Sequence, residues 1–237
     1  MSQKIPRRVF VALTAGAFVA PQFLFGEVDP PTMLDHLLLG CNDLDRGIAY
    51  VEQKTGVRAV VGGVHPGRGT RNALLSLGEK HYLEIIAPDP QQAAVPDTRN
   101  LLELAEPRLV GWAAHPGEIT QFAAHLRAAN IAFEGPQPGS RKRPDGRLLQ
   151  WKTLGLKNDE HGVLPFFIEW SAGTIHPSTD APPGCKLDGF SIATPDEAEL
   201  QRLCTQLQLS VHIEHGEKPQ LLARVSGVDG HVMQLTS

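Results

Sequence analysis

One pattern recurs along the chain and limits what it can fold into: a short apolar strand, a helix, then further strands. Leu34-Asp35-His36-Leu37-Leu38-Leu39 reads as a buried strand. Asn42 and Asp43 can cap a helix that Ile48 and Val51 carry to Gly56, a good stop. Val57 to Val61 is a β-branched strand ending at Gly62-Gly63. Asn72 to Leu77 and His81 to Ala87 then form a hairpin around Gly78-Glu79-Lys80.

The order returns at Leu109. A strand runs to Ala114 and a helix from Glu118 to Ala129, with apolar residues at Ile119, Phe122, Ala123 and Leu126. Strands follow at Leu148 to Leu154 and Leu164 to Trp170. A third copy opens with Leu187-Asp188-Gly189-Phe190-Ser191-Ile192 and a helix from Pro195-Asp196 to about Leu207. It continues with strands at Val211 to Glu214, Leu221 to Val225 and His231 to Leu235. Pro88 to Pro96 and Ile175 to Gly184 mark the joints. Units this short cannot each bury a sheet face alone, so two or three must share a core. The expectation is an α+β protein. Tandem βαβββ modules over residues 33–177 form a curved mixed sheet or partial barrel, and a smaller βαβββ-like C-terminal unit covers 183–237.

The copies differ in their polar residues. The first has His36 in its opening strand and Glu84 in its last, the second has Leu109 and Glu169, and the third has Gly189 and Gln234. Strand side chains alternate between faces, so His36 shares a face with Leu34 and Leu38, and Glu84 with Tyr82 and Ile86. Polar groups there are costly unless paired, hydrogen-bonded or bound to metal.

The loop from Gly62 to Asn72 is dense in ligand-binding groups. Its glycines let backbone approach a ligand. His65 can act as base or ligand, and Arg71 and Asn72 can hold a carboxylate or carbonyl oxygen. The alternative is a hairpin loop whose arginines point to water. Arg141, Lys142 and Arg143 before Pro144-Asp145-Gly146 form a second basic cluster, from which Arg143 is the candidate anion contact. Trp151, Phe166, Phe167 and Trp170 either wall a pocket or fill the core. His176, at the domain joint before Pro177, can close the pocket.

A formal net charge of −4 argues against a broad nucleic-acid surface. Residues 1–26 read as a targeting segment: Lys4, Arg7 and Arg8 precede the apolar run Val9 to Ala20. That run is shorter than the roughly 20 residues needed to span a bilayer. Arg7-Arg8 followed by Val9-Phe10 resembles a twin-arginine export signal, which implies a periplasmic protein. An uncleaved N-terminal anchor is the alternative. Cys41, Cys185 and Cys204 show no metal-knuckle spacing.

Taken together, the repeat resembles the βαβββ module of the vicinal-oxygen-chelate superfamily, in its glyoxalase-like branch. The resemblance runs from Leu34 to about Pro177. It rests on Leu34-Asp35-His36, Gly62-Gly63-Val64-His65-Pro66, Gly69-Thr70-Arg71-Asn72 and Tyr82-Leu83-Glu84-Ile85-Ile86. Gly111-Trp112, the Arg143-Pro144-Asp145-Gly146 turn, Pro165-Phe166-Phe167-Ile168-Glu169-Trp170 and His176-Pro177 complete it. By position it implies metal ligation by His36, Glu84 and Glu169. The fourth position, Leu109, cannot ligate. One histidine and two carboxylates suit Mn²⁺, Fe²⁺ or Mg²⁺, and with His65 the set becomes one for Fe²⁺ or Zn²⁺.

Two functions follow. The first is a metal-assisted lyase, isomerase or dioxygenase acting on a small oxygenated anion, with Glu169, Glu84 or His65 moving the proton and Arg71, Asn72, Arg143, Trp151 and His176 around the substrate. The second is a metal-free protein that binds or sequesters a small molecule. No Gly-x-Ser-x-Gly elbow supports a hydrolase. The expected partners are the small molecule, the export machinery and a second copy of the chain in a homodimer. If His36 lines an open, hydrated pocket, its removal costs little stability.

Overall fold

A computed structural model describes residues 29–157, 159 and 162–237. The targeting segment at residues 1–26 lies outside the described residues. The first unit contains β1 (Leu34–Gly40), α1 (Leu44–Thr55), β2 (Val60–His65), β3 (Thr70–Ser76) and β4 (Tyr82–Pro88). The caps of α1 fall where sequence puts them. The Asp43 side chain accepts from the Arg46 amide, and Gly56 ends the helix at φ 73°, a left-handed conformation suited to glycine.

After α2 (Pro96–Leu102) the second unit contains β5 (Arg108–Ala114), α3 (Ile119–Ala128), β6 (Phe133–Lys142), β7 (Leu148–Leu156) and β8 (Phe166–Trp170). The short α4 (Pro177–Asp180) follows. Sequence reading leaves out both α2 and β6. Strand β6 carries Gly135, Pro136, Pro138 and Gly139, a composition that reads as loop. It forms because it lies at the sheet edge, paired only with β7, where proline's missing N–H costs no ladder bond.

The two units build one eight-stranded sheet in the order β2-β3-β4-β1-β5-β8-β7-β6. In each, the first strand runs parallel to the last, and the units meet where β1 and β5 pair antiparallel. The sheet curls until its edges meet: the Arg141 guanidinium of β6 donates to the Gly62 carbonyl of β2.

The third unit contains β9 (Lys186–Thr194), α5 (Glu197–Gln206), β10 (His212–His215), β11 (Gln220–Ser226) and β12 (Val232–Thr236). Its chain order repeats the module, but its sheet order is β10-β9-β11-β12. Here the first strand runs parallel to the second, so Gln234 pairs with Arg224 and not beside Gly189. The correspondence with His36 and Glu84 therefore holds along the chain and not in space.

One apolar core joins the two sheets. Leu37, Leu39, Leu83, Ile85, Leu109 and Trp112 cover the outer face of the large sheet. They share a buried cluster with Phe122 of α3, Ile48 of α1, and Phe190, Leu221 and Leu235 of the third unit. Trp112 lies 5.0 Å from Phe190, centroid to centroid, and its indole donates to the Val163 carbonyl. With the apolar side chains on the outer face, the inner face is left for polar groups.

Candidate active site

Strands of both units aim side chains at the inner face. Directly paired residues share a face, so the register assigns it: His36 with Ala113, Ala113 with Phe166, Leu74 with Glu84, and Asn72 with Ile86. His36 and Glu84, on neighbouring parallel strands, meet with Nε2 3.3 Å from Oε2. His65 adds its Nε2 3.5 Å from the other oxygen, Oε1. The Asn72 amide donates to Oε1 at 2.6 Å and reaches the His65 Nε2 at 3.4 Å. Turning that amide over would set its oxygen against the carboxylate, so its donor faces Glu84.

Asp35 was not among the expected site residues, because neighbours on a strand normally face opposite ways. A β-bulge between Leu34 and His36 breaks that alternation. It lets Asp35 join its neighbour: Oδ1 accepts from His36 Nδ1 at 2.7 Å. Oδ2 accepts from Trp170 Nε1 at 3.0 Å and from His176 Nε2 at 3.2 Å. The Tyr82 ring stacks on the His36 ring at 4.4 Å. His36 is 2% exposed, and its Nε2 has no properly directed hydrogen bond despite the nearby carboxylate.

The electrostatics divide the two histidines. Burial alone would lower the His36 pKa; the Asp35 hydrogen bond and the close carboxylates of Asp35 and Glu84 outweigh it and raise it to about 9. Burial lowers the His65 pKa, and Arg141, Arg68 and His36 push the same way against Glu84. Burial would raise Glu84, but His36, His65 and Asn72 hold it at about 2. Asp35, bonded by His176 and His36, stays well below the usual carboxylate range despite its burial. His36 is thus a cation between two carboxylates, and His65 is neutral. The His65 Nδ1 lies 2.8 Å from the Thr70 hydroxyl, which with Asn72 donating to Nε2 leaves that nitrogen as the basic one.

Of the expected residues, His36, Glu84, His65, Asn72, Trp151 and His176 come together on the inner face. Trp151 pairs with Trp170 there, and its ring lies over Gly139, where a Cβ would come within 2.4 Å of it. Three residues go elsewhere. Glu169 alternates to the outer face, where its carboxylate accepts from the Ile119 amide at 2.6 Å and caps α3. It shares that face with Phe167, while Phe166, Ile168 and Trp170 face inward. Arg71, next to Asn72, also faces outward, with Nη2 3.9 Å from Asp43. Arg143 is held by Asp180 at 2.7 Å. The basic residue that reaches the interior is Arg141, 4% exposed. Leu109 pairs with Leu39 in the core, and Ala113 is the residue of the second unit opposite His36.

These placements test the expected ligand set. Two histidine nitrogens flank one carboxylate, but Glu169 is absent from the group. Among the described residues no set of three or more His, Cys, Asp and Glu side chains is arranged to hold an ion. Glu84 is engaged by Asn72 and Glu169 is turned away to α3, so the donor set as placed does not fit a metal centre.

A family model described as Glyoxalase-like domain matches residues 34–208. No curated protein matches the chain. Among solved structures, a hypothetical protein from Staphylococcus aureus superposes with a TM-score of 0.62 at 15% identity, over 85% of this chain and 84% of that one. Methylmalonyl-CoA epimerase from Mycobacterium tuberculosis gives 0.45 at 21% identity, over 60% and 89%. A hypothetical protein from Bacillus halodurans gives 0.46 at 16% identity, over 60% and 96%. At these identities the likeness is one of fold. The family match spans most of the chain and takes in both halves of the eight-stranded sheet, and the chain therefore belongs to the glyoxalase-like domain family of the vicinal-oxygen-chelate superfamily.

Proposed function

We propose that this protein is an isomerase or lyase that binds a small oxygenated anion inside the curled sheet and moves a proton next to its carbonyl group. One observation supports this most: a buried histidine and a partly buried one face one carboxylate with their pKa values driven apart, His36 upward and His65 downward. Such separation is how one site holds an acid and a base at the same pH.

In this scheme His65 Nε2 removes the proton from the carbon beside the carbonyl. His36 donates from Nε2 to the carbonyl oxygen as negative charge develops there. Glu84 orients the His36 ring, and the Asn72 amide bridges Glu84 and His65. The buried Arg141 guanidinium favours a substrate bearing a negative charge. Returning the proton to the same or a neighbouring carbon completes an isomerisation, and loss of a leaving group completes a lyase reaction.

The test is solvent deuterium uptake by a panel of 2-oxo and 3-oxo carboxylates, followed by NMR. Exchange should occur at the carbon next to the carbonyl and fall by about 10²-fold or more in His65→Gln, the usual weight of a general base. If the panel binds without exchange, the protein is a sequestering binder, the alternative reading of the sequence. Exchange should need no added Fe²⁺, Mn²⁺, Zn²⁺ or Mg²⁺; activity appearing only after metal loading would contradict the donor-set argument. Export belongs to the same proposal. Replacing Arg7 and Arg8 with lysine should abolish it, and unchanged export would reject the twin-arginine route.

A further inference from the structure

The connection from β8 to β9, residues 171–185, is exposed along much of its length but packs against the inner-face cluster through His176 and Ala181. The Ser76 amide donates to the Pro182 carbonyl, and Ala181 packs with Leu74 and Tyr82 in a small buried cluster beside Trp170. Asp180 is gripped by Arg143 at 2.7 Å and Arg147 at 2.9 Å from the β6–β7 turn. This segment is a strap, and it carries His176 onto Asp35. His36, Glu84 and Tyr82 are all under 9% exposed beneath it.

Asp35 is where strap and site join. It offers one oxygen to His36 Nδ1 and the other to Trp170 and His176. A carboxylate is a rigid plane, so a shift of one oxygen moves the other. We propose that Asp35 is a positioning residue that couples closure of the strap to the orientation of His36: with the strap down, His176 and Trp170 fix the carboxylate, which fixes the ring with Nε2 toward Glu84. With the strap up, the ring is released and the site is open to ligand and also inactive. The inference rests on the role given to His36 in the proposed function, but both readouts below use ligand-free protein, so either can fail without the other.

The first readout is amide hydrogen exchange at Thr179 and Ala181, whose N–H groups donate to His176 and Pro177 carbonyls. The second is the solvent-exchange lifetime of the His36 Nδ1 proton by NMR. Asp35→Asn leaves one acceptor oxygen for three donors, so strap exchange should rise by about tenfold or more, and the His36 proton should lose its long lifetime. His176→Gln touches only the strap end, yet it should speed exchange of both the strap and the His36 proton. His65→Gln, which does not contact Asp35, should leave strap exchange unchanged. A His36 proton unaffected in His176→Gln would overturn the coupling, because the two contacts would then be independent. So would equal acceleration of the strap in His65→Gln, which would mean general loosening. If Asp35→Asn does not fold, His176→Gln decides alone.

Discussion

His36 shows how burial changes the meaning of a residue. In an open, hydrated pocket its removal would cost little, because water would take its place. At 2% exposure between Asp35 and Glu84 it instead compensates two buried negative charges. Its replacement by alanine should cost about 3–5 kcal/mol, the usual penalty for leaving a buried charge unpartnered, as read by urea denaturation at neutral pH. A loss under about 1 kcal/mol would mean that water already screens the pair. The same groups set the pH dependence of stability. His36 sits at about 9 in the fold against 6.5 ordinarily, so its contribution is complete below pH 6.5 and is lost as pH rises to about 9. Glu84, at about 2 against 4.5, contributes above pH 4.5 and loses this as pH falls toward 2. His65 resists protonation in the fold and so costs stability as pH drops below 6.5. The urea midpoint should peak near pH 6.5 and fall on both sides. A flat limb between pH 6.5 and 9 would deny His36 its charge.

At the scale of elements, two bulges shape the site. One at Asp35 turns an outward residue inward. The other lies between Val61 and Gly63, where β2 closes on β6. A Cβ on Gly62 would come 2.5 Å from Asn72 Oδ1 and 2.8 Å from Arg141 Nη1. Gly62→Ala should therefore cost about 1–3 kcal/mol by overpacking, measured by chemical denaturation. An unchanged midpoint would show that Arg141 moves aside freely. These bulges also mark what sequence could and could not reveal. Comparison of the copies singled out His36 and Glu84, and the polar composition of the Gly62–Asn72 loop singled out Asn72. Neither could reveal Asp35, since a bulge is a property of pairing with β5 and leaves no trace in Leu34-Asp35-His36. Matching Glu169 to Glu84 by motif placed it one residue out of phase, and on a strand that is the opposite face. Of the two arginines on the basic run, strap residue Asp180 claims Arg143, a long-range contact that local sequence does not record. The edge position that rescues β6 was likewise illegible in its prolines and glycines.

At the scale of the whole molecule, the repeat read along the chain is a real symmetry for two units and a resemblance in order only for the third. The third unit nevertheless shares the core, through Trp112 against Phe190 and through Leu221, Ala223 and Leu235. Thermal unfolding of residues 29–237 should therefore be a single cooperative transition by near- and far-ultraviolet circular dichroism. Two separated transitions would assign the small sheet a stability of its own. The outer face supplies the apolar packing, and the charged cluster on the inner face is compensated within itself, His36 against Asp35 and Glu84.

The claim on which the rest depends is that His36 and His65, facing the same carboxylate, carry different charges at neutral pH. Nitrogen-15 NMR of the two imidazole rings, titrated from pH 5 to 10 in ligand-free protein and assigned through His36→Gln and His65→Gln, tests it directly. His36 should hold both ring protons at pH 7 and lose one near pH 9, while His65 stays neutral with its proton on Nδ1 and titrates below 6.5. Two rings titrating together near 6.5, or His65 charged and His36 neutral at pH 7, would contradict the account.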